Sequence, residues 1–255
     1  VSGDPGVAAV LLDADDTLYD TRAAMHAAGA AAASRLWPQA DPERLAHAGE
    51  HFRSDPEGHF TAYARGEIEF EEMRRARVAE LAAWLDQAGE DWWDAFEEVY
   101  EPAFVEGLAA FDDVRATVVG LRSAGLAVGV LTNSSGDYTR VKMEASGLEG
   151  LFDVVCSRDT LGFGKPDPRA FHEACRRLGT EPAATLYVGD QLATDPLAAD
   201  DAGLRAAWLV RAGVPDERSR RLVESRSVPV IAGLDAIAGL LERSDGRFGP
   251  GEGGR

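Results

Sequence analysis

Two hydrophobic rhythms divide the chain. Short apolar runs at residues 8–12, 127–131, 152–156, 185–188 and 206–210 are continuous, not alternating, which is the pattern of strands buried on both faces. Helical patterns at 114–124, 139–145, 169–178 and 197–202 separate the later runs, and strands alternating with helices predict a parallel sheet wound on both sides. Residues 228–231 read as one more edge strand and 234–241 as a last helix. Between the first strand and residue 108 the rhythm changes: β-branched alternation is almost lacking, and helices are predicted over 22–36, 42–53, 56–63, 70–85 and 91–100. Pro42 and Pro56 sit where a first turn tolerates proline, and Pro102 follows the last of these helices. The alanines of 22–36 express helix propensity, since Arg22, His26 and Arg35 interrupt the apolar face. The expected organisation is an α/β core from residues 1–20 and 108–243, an inserted helical segment at 21–107, and a disordered tail at 244–255, rich in glycine and charge.

Composition narrows the partners. With 44 acidic against 26 basic side chains the net charge is -18, which opposes non-specific binding to nucleic acid or anionic lipid. Cys156 and Cys175 are too few for a disulfide framework and lack zinc spacing, so both are expected to be reduced. No apolar run approaches the roughly 20 residues of a membrane span, and no signal-peptide pattern opens the chain, so a cytoplasmic location is expected.

Polar residues following the strands of a parallel sheet gather at one edge. Here they are Asp13 and Asp15 after the first strand, Thr132 and Asn133 after the second, and Asp190 with Asp195 after the fourth; Lys165 lies in the loop 162–168. Singly, each has a plain structural reading as a helix cap, a surface lysine or an acidic first turn. Gly162-x-Gly164-Lys165 is not a phosphate loop, because Pro166 stands where serine or threonine is required. Together they compose one chemistry: three acids hold Mg²⁺, Lys165 and the metal offset a phosphoryl charge, Thr132 and Asn133 bind its oxygens, and one aspartate attacks. Arg74, Arg75 and Arg77 either pair with Glu71, Glu72 and Glu80 on a solvated face or grip an anionic substrate. Trp84, Trp92, Trp93 and Phe96 read as core of the helical segment, although Trp92 and Trp93 suit a dimer contact equally well.

The set Asp13-x-Asp15-Asp16-Thr17-Leu18, Leu131-Thr132-Asn133, Lys165-Pro166-Asp167-Pro168 and Gly189-Asp190-x4-Asp195 resembles the four ordered motifs of the haloacid dehalogenase superfamily, over about residues 8–211. The resemblance implies a Rossmann-like core of strand order 3-2-1-4-5 whose active site is closed by a helical cap. It makes Asp13 the nucleophile and a Mg²⁺ ligand, and Asp15 the acid that protonates the leaving oxygen and then activates water, its backbone carbonyl touching the metal. Thr132 and Asn133 would hold phosphoryl oxygens, Lys165 would pair with phosphoryl group and nucleophile, Asp190 would ligate Mg²⁺, and Asp195 would support the metal or Lys165. Dehalogenases of the superfamily lack the second acid, and its phosphomutases usually continue the first motif with Gly-Val where this chain has Asp16-Thr17. The expectation is therefore a phosphatase acting on a small phosphorylated metabolite of nucleotide or sugar-phosphate type, as monomer or homodimer. A sugar-phosphate mutase, a dehalogenase and a catalytically silent binding protein are the alternatives.

Overall fold

The computed structural model describes residues 6–244, so residues 245–255 of the predicted tail lie outside the described residues. Contacts divide these residues into a sheet unit, comprising residues up to 18, 111–133 and from 149 onward, and a helical unit, comprising 19–110 and 134–148.

In the sheet unit the apolar runs become β1 (Ala9–Leu12), β2 (Ala127–Thr132), β3 (Val154–Ser157), β4 (Thr185–Gly189), β5 (Arg205–Leu209) and β6 (Val230–Ile231). All are parallel, in the order β3-β2-β1-β4-β5-β6, so the predicted order holds and β6 extends it by one strand. Leu12 lies in register with Val130 on one side and Val188 on the other, so β1, β2 and β4 end side by side. That common edge is where a parallel sheet presents its ligand site. Leu11, Leu131, Phe171 and Tyr187 are fully buried in the core, each leucine contributing about 1.5–3 kcal/mol of burial.

The helical unit contains α1 (Thr21–Leu36), α2 (Pro42–Ser54), α3 (His59–Arg65), α4 (Phe70–Trp84) and α5 (Trp93–Gly107). Buried Ala24, Ala28 and Ala32 give α1 a flat face on which other helices can approach closely. Two helices differ from expectation. α3 starts at His59, because Asp55 takes a left-handed conformation and its carboxylate accepts the His59 and Phe60 N–H groups, delaying the start beyond Pro56. α5 continues through Pro102, where a helix normally breaks; Phe96, Tyr100 and Phe104 form a buried row at four-residue spacing across it, and that packing outweighs the lost bond.

The remaining helices are α6 (Asp112–Ser123), α7 (Gly136–Ala145), α8 (Arg158–Leu161), α9 (Pro168–Leu178), α10 (Pro196–Asp201), α11 (Glu217–Ser225) and α12 (Ile237–Ser244). Although the sequence groups α7 with the α/β core, its contacts lie with the helical unit. The Tyr138 ring is 5.6 Å from Phe70 and 5.4 Å from Phe104. Among the described residues, no helix is long and apolar enough to cross a membrane, and Cys156 and Cys175 are free and buried.

Candidate active site

Asp13 is the first residue beyond β1, its N–H donating to Val188 O at 2.9 Å, so the sheet register itself sets the position of this carboxylate. Asp16 follows in a left-handed conformation at φ 59°, which aspartate tolerates better than most residues, and the chain turns sharply there. Arg211, just past β5, steadies this turn. Its guanidinium donates to Thr17 O at 2.7 Å and forks onto Asp113 at 2.9 and 3.0 Å, lying over the Phe111 ring.

Lys165 is the centre of the site. Its ammonium donates to Asp13 Oδ1 at 2.5 Å, Asp195 Oδ1 at 2.6 Å and the Tyr187 hydroxyl at 2.9 Å, which uses all three of its donors. The Tyr187 hydroxyl in turn lies 3.0 Å from Asp195 Oδ1, and Asp195 Oδ2 accepts the Gln191 N–H at 2.8 Å. Lys165, Asp13, Asp195 and Tyr187 are all at most 4% exposed. Burial works against the Lys165 charge, but the carboxylates of Asp13 and Asp195 overcome it and hold the ammonium above its ordinary range. Burial pushes the Asp13 carboxyl well up, opposed by Lys165 and reinforced by Asp195 and Asp190. Tyr187 is pushed up by burial and by the same acids, so it remains a neutral hydroxyl.

Carboxylate oxygens of Asp13, Asp190 and Asp195 lie within 4.8 Å of one another and could hold a metal ion. The donor set is oxygen only, suited to a hard cation. Three carboxylates and one ammonium carry a formal charge of -2, which a divalent cation balances. The Asp15 carboxylate, half-buried, lies outside this trio; the metal contact expected of Asp15 was through its backbone carbonyl. Thr132 ends β2 and is 1% exposed.

The side-chain amide of Asn133 is engaged within the protein. Its Nδ2 donates to Lys165 O at 2.8 Å while its Oδ1 accepts the Lys165 N–H at 2.7 Å, so both ends of the amide hold the main chain of Lys165. The clamp explains Gly164: a Cβ there would lie 2.6 Å from Asn133 Oδ1. At Gly189 a Cβ would lie 2.6 Å from Asp195 Cγ. Both glycines exist because site side chains pass against their backbone.

The three arginines of α4 have partners inside the helical unit. Arg74 forks onto Glu97 at 2.7 and 2.8 Å, amid the rings of Phe70, Trp93, Tyr100 and Tyr138. Arg75 pairs with Glu71 one turn earlier, as the helix-face reading expects. Arg77 is buried, donates to Phe52 O and lies 3.6 Å from Asp55. Phe96 is fully buried, and Trp92, half-buried, meets the edge of Trp37 at 5.5 Å.

Tyr187 and Arg211 are the site residues that the sequence reading missed. Tyr187 stands within an apolar strand and reads there as core, and Arg211 acts on residues almost 200 positions away. The one available signal was a hydroxyl on the strand that leads into Gly189-Asp190.

The model of the haloacid dehalogenase-like hydrolase family matches residues 7–203. The chain is 34% identical over 135 residues to a glyceraldehyde 3-phosphate phosphatase of Methanothermobacter thermautotrophicus, covering 53% of this chain and 58% of that protein. It is 34% identical over 110 residues to (S)-2-haloacid dehalogenase 4A of Burkholderia cepacia, covering 43% of this chain and 47% of that protein. The chain thus matches about half the length of these curated relatives. The crystal structure of the putative HAD-hydrolase YfnB from Bacillus subtilis bound to magnesium superposes with TM-score 0.73 at 20% identity, covering 93% of this chain and 99% of that one.

Proposed function

Because the chain belongs to the haloacid dehalogenase-like hydrolases, we propose that it hydrolyses a small-molecule phosphomonoester, of nucleotide or sugar-phosphate type, through an aspartyl-phosphate on Asp13. The observation that carries this reading is the cluster of buried Asp13, Asp195 and Lys165 with half-buried Asp190, two negative charges in excess, while a further acid, Asp15, stands two residues beyond Asp13 in the chain. A halide leaves without a proton, whereas the oxygen of an ester needs one, and Asp15 supplies it. The phosphatase name of a relative points the same way.

In this mechanism Lys165 holds Asp13 Oδ1, and Oδ2 attacks phosphorus. The bond from phosphorus to the leaving oxygen breaks as Asp15 donates its proton. Asp15, now a carboxylate, then takes a proton from water as that water attacks phosphorus, which frees Asp13 and phosphate. Thr132 donates to the phosphoryl oxygens, Asn133 acts by fixing the main chain from which Lys165 extends, and Asp195 orients Lys165. Mg²⁺, when held by Asp13, Asp190 and the Asp15 carbonyl, supplies positive charge to the phosphoryl oxygens.

The test is phosphate release from nucleotides, sugar phosphates and a chromogenic phosphomonoester, with Mg²⁺ and with chelator, alongside chloride release from a 2-chloro acid. Phosphate released only with Mg²⁺, and lost in Asp13→Asn, is the expected result. Chloride release without phosphate release would replace this reading by a dehalogenase. Asp15→Asn should slow esters with poor leaving groups most, and equal slowing across a leaving-group series would remove Asp15 from the acid role.

A further inference from the structure

The helical unit contains a second cluster of ligating side chains, which the mechanism above does not use. It is built by the turn between α2 and α3. Asp55 leaves α2 at φ 49°, and its carboxylate is anchored by the N–H groups of His59, at 3.2 Å, and Phe60, at 2.8 Å. This turn brings Asp55 and His59 up to Glu80 of α4. One ligand atom from each of Asp55, His59 and Glu80 lies within 4.8 Å of the other two.

Three features set the cluster apart from an accidental grouping of surface acids. His59 Nε2 is 3.3 Å from Glu80 Oε2, and a tetrahedral centre with bonds of about 2.0 Å has edges of about 3.3 Å. The other Glu80 oxygen, Oε1, is held at 3.0 Å by His51 Nε2. The His51 ring is itself stacked on Trp84 with centroids 4.2 Å apart, so the carboxylate is oriented by a side chain that is in turn fixed. The side chains of Asp55, His59 and Glu80 are only 12%, 25% and 16% exposed, which shields them from bulk water while leaving an entry path.

We propose that Asp55, His59 and Glu80 form a site for a divalent cation of the zinc class, with His51 orienting Glu80 and water completing the coordination. One imidazole and two carboxylates, with the His59–Glu80 edge at tetrahedral spacing, suit Zn²⁺ better than Mg²⁺, which takes six oxygens in an octahedron and retains much of its water. Arg77 lies 3.6 Å from Asp55 Oδ1, too far for a hydrogen bond, and donates instead to Phe52 O. It therefore balances the Asp55 charge in the metal-free protein without occupying the lone pairs the cation needs. Once bound, the cation ties α4 to the α2–α3 turn.

The chain has five histidines, His26, His47, His51, His59 and His172, and their ring resonances give a direct readout. Zn²⁺ is titrated into the full-length Asp190→Asn protein, which removes one carboxylate from the other candidate metal centre, so the outcome does not depend on the phosphatase reading. One equivalent should bind. The His59 ring should take up the signature of a metal-bound Nε2, His51 should be perturbed, and His26, His47 and His172 should stay in place. Glu80→Gln and, separately, His59→Gln should each weaken binding at least tenfold, with circular dichroism showing that the helices persist. An unshifted His59 at stoichiometric Zn²⁺, or binding equally tight in the Glu80→Gln protein, would overturn the proposal and leave the cluster as a His–Glu–His hydrogen-bonded bridge.

Discussion

Lys165 of the sheet unit, which is buried, and Arg74 of the helical unit, which is half-buried, are balanced in opposite ways. In the helical unit Arg74 meets a single carboxylate, that of Glu97, among four aromatic rings; charge is matched one to one and the arrangement is closed. In the sheet unit Lys165 meets Asp13 and Asp195, with Asp190 beside them, so its one positive charge is outnumbered. A balanced buried pair is a packing device, whereas an unbalanced one is an open electrostatic account that a ligand must close. Net charge within the cluster, more than burial or pairing, separates the two.

The sharpest test of this contrast is Asp13→Asn, which should lower kcat by a factor on the order of 10⁴ or more while the melting temperature stays at or above that of the wild type. Turnover at an ordinary rate would remove Asp13 from the nucleophile role. Next in size is the pair Lys165→Met and Arg74→Met. Lys165→Met strands the buried Asp13 and Asp195 and should cost about 3–5 kcal/mol of stability by chemical denaturation, whereas Arg74→Met strands the half-buried Glu97 and should cost less. Added Mg²⁺ should restore part of the loss for Lys165→Met, where acids are in excess, and none for Arg74→Met. Equal recovery, or no recovery in either, would erase the distinction drawn here. In steady-state assays Arg74→Met should also leave KM unchanged; a raised KM would instead give Arg74 the substrate contact that the sequence offers as the alternative to a paired face.

Tyr187→Phe is a finer probe. Hydrogen bonds to charged groups contribute about 1.5–3 kcal/mol, so loss of the hydroxyl should lower kcat about 10–100-fold with KM little changed. An unchanged kcat would show that the two acids position Lys165 unaided. The smallest effect concerns Tyr100 in the helical unit, whose hydroxyl burial pushes up to about 12, against Arg74 and Arg77. A raised folded-state value stabilises the fold below pH 10 and loses that contribution as pH climbs through 12. Thermal melts of Tyr100→Phe should therefore fall less steeply than wild type over this window, by about 2–3 kcal/mol at its alkaline end. Parallel slopes would mean that Tyr100 ionises as freely folded as unfolded.

How far the chain could be read without coordinates depended on the range of the interaction. The five strands of continuous apolar residues were legible, and with them Asp13, Thr132 and Asp190 at the strand ends, because sheet register alone carries those residues to one edge. Lys165 was legible through its motif. The hydroxyl of Tyr187 was not, since a tyrosine between Leu186 and Val188 looks like any core ring until Lys165 is placed beneath it. Charge pairing shows the same limit. Arg75 takes the partner four residues away that helix geometry offers, while Arg74 passes over its own helix to reach Glu97 on α5, and Glu80 meets two histidines. The end of α5 was misread for a related reason: Pro102 is a strong local signal, and the aromatic row that overrides it depends on tertiary packing.

The amide of Asn133 has a consequence for how relatives of this protein would drift. It grips the peptide groups of residue 165, and any side chain at 165 presents the same N–H and C=O. A descendant that lost its chemistry could exchange Lys165 for another residue and still need Asn133 to shape the loop. An asparagine surviving at 133 thus testifies to inherited architecture, whereas the ammonium at 165 is the feature whose disappearance would mark a lineage that had given up catalysis.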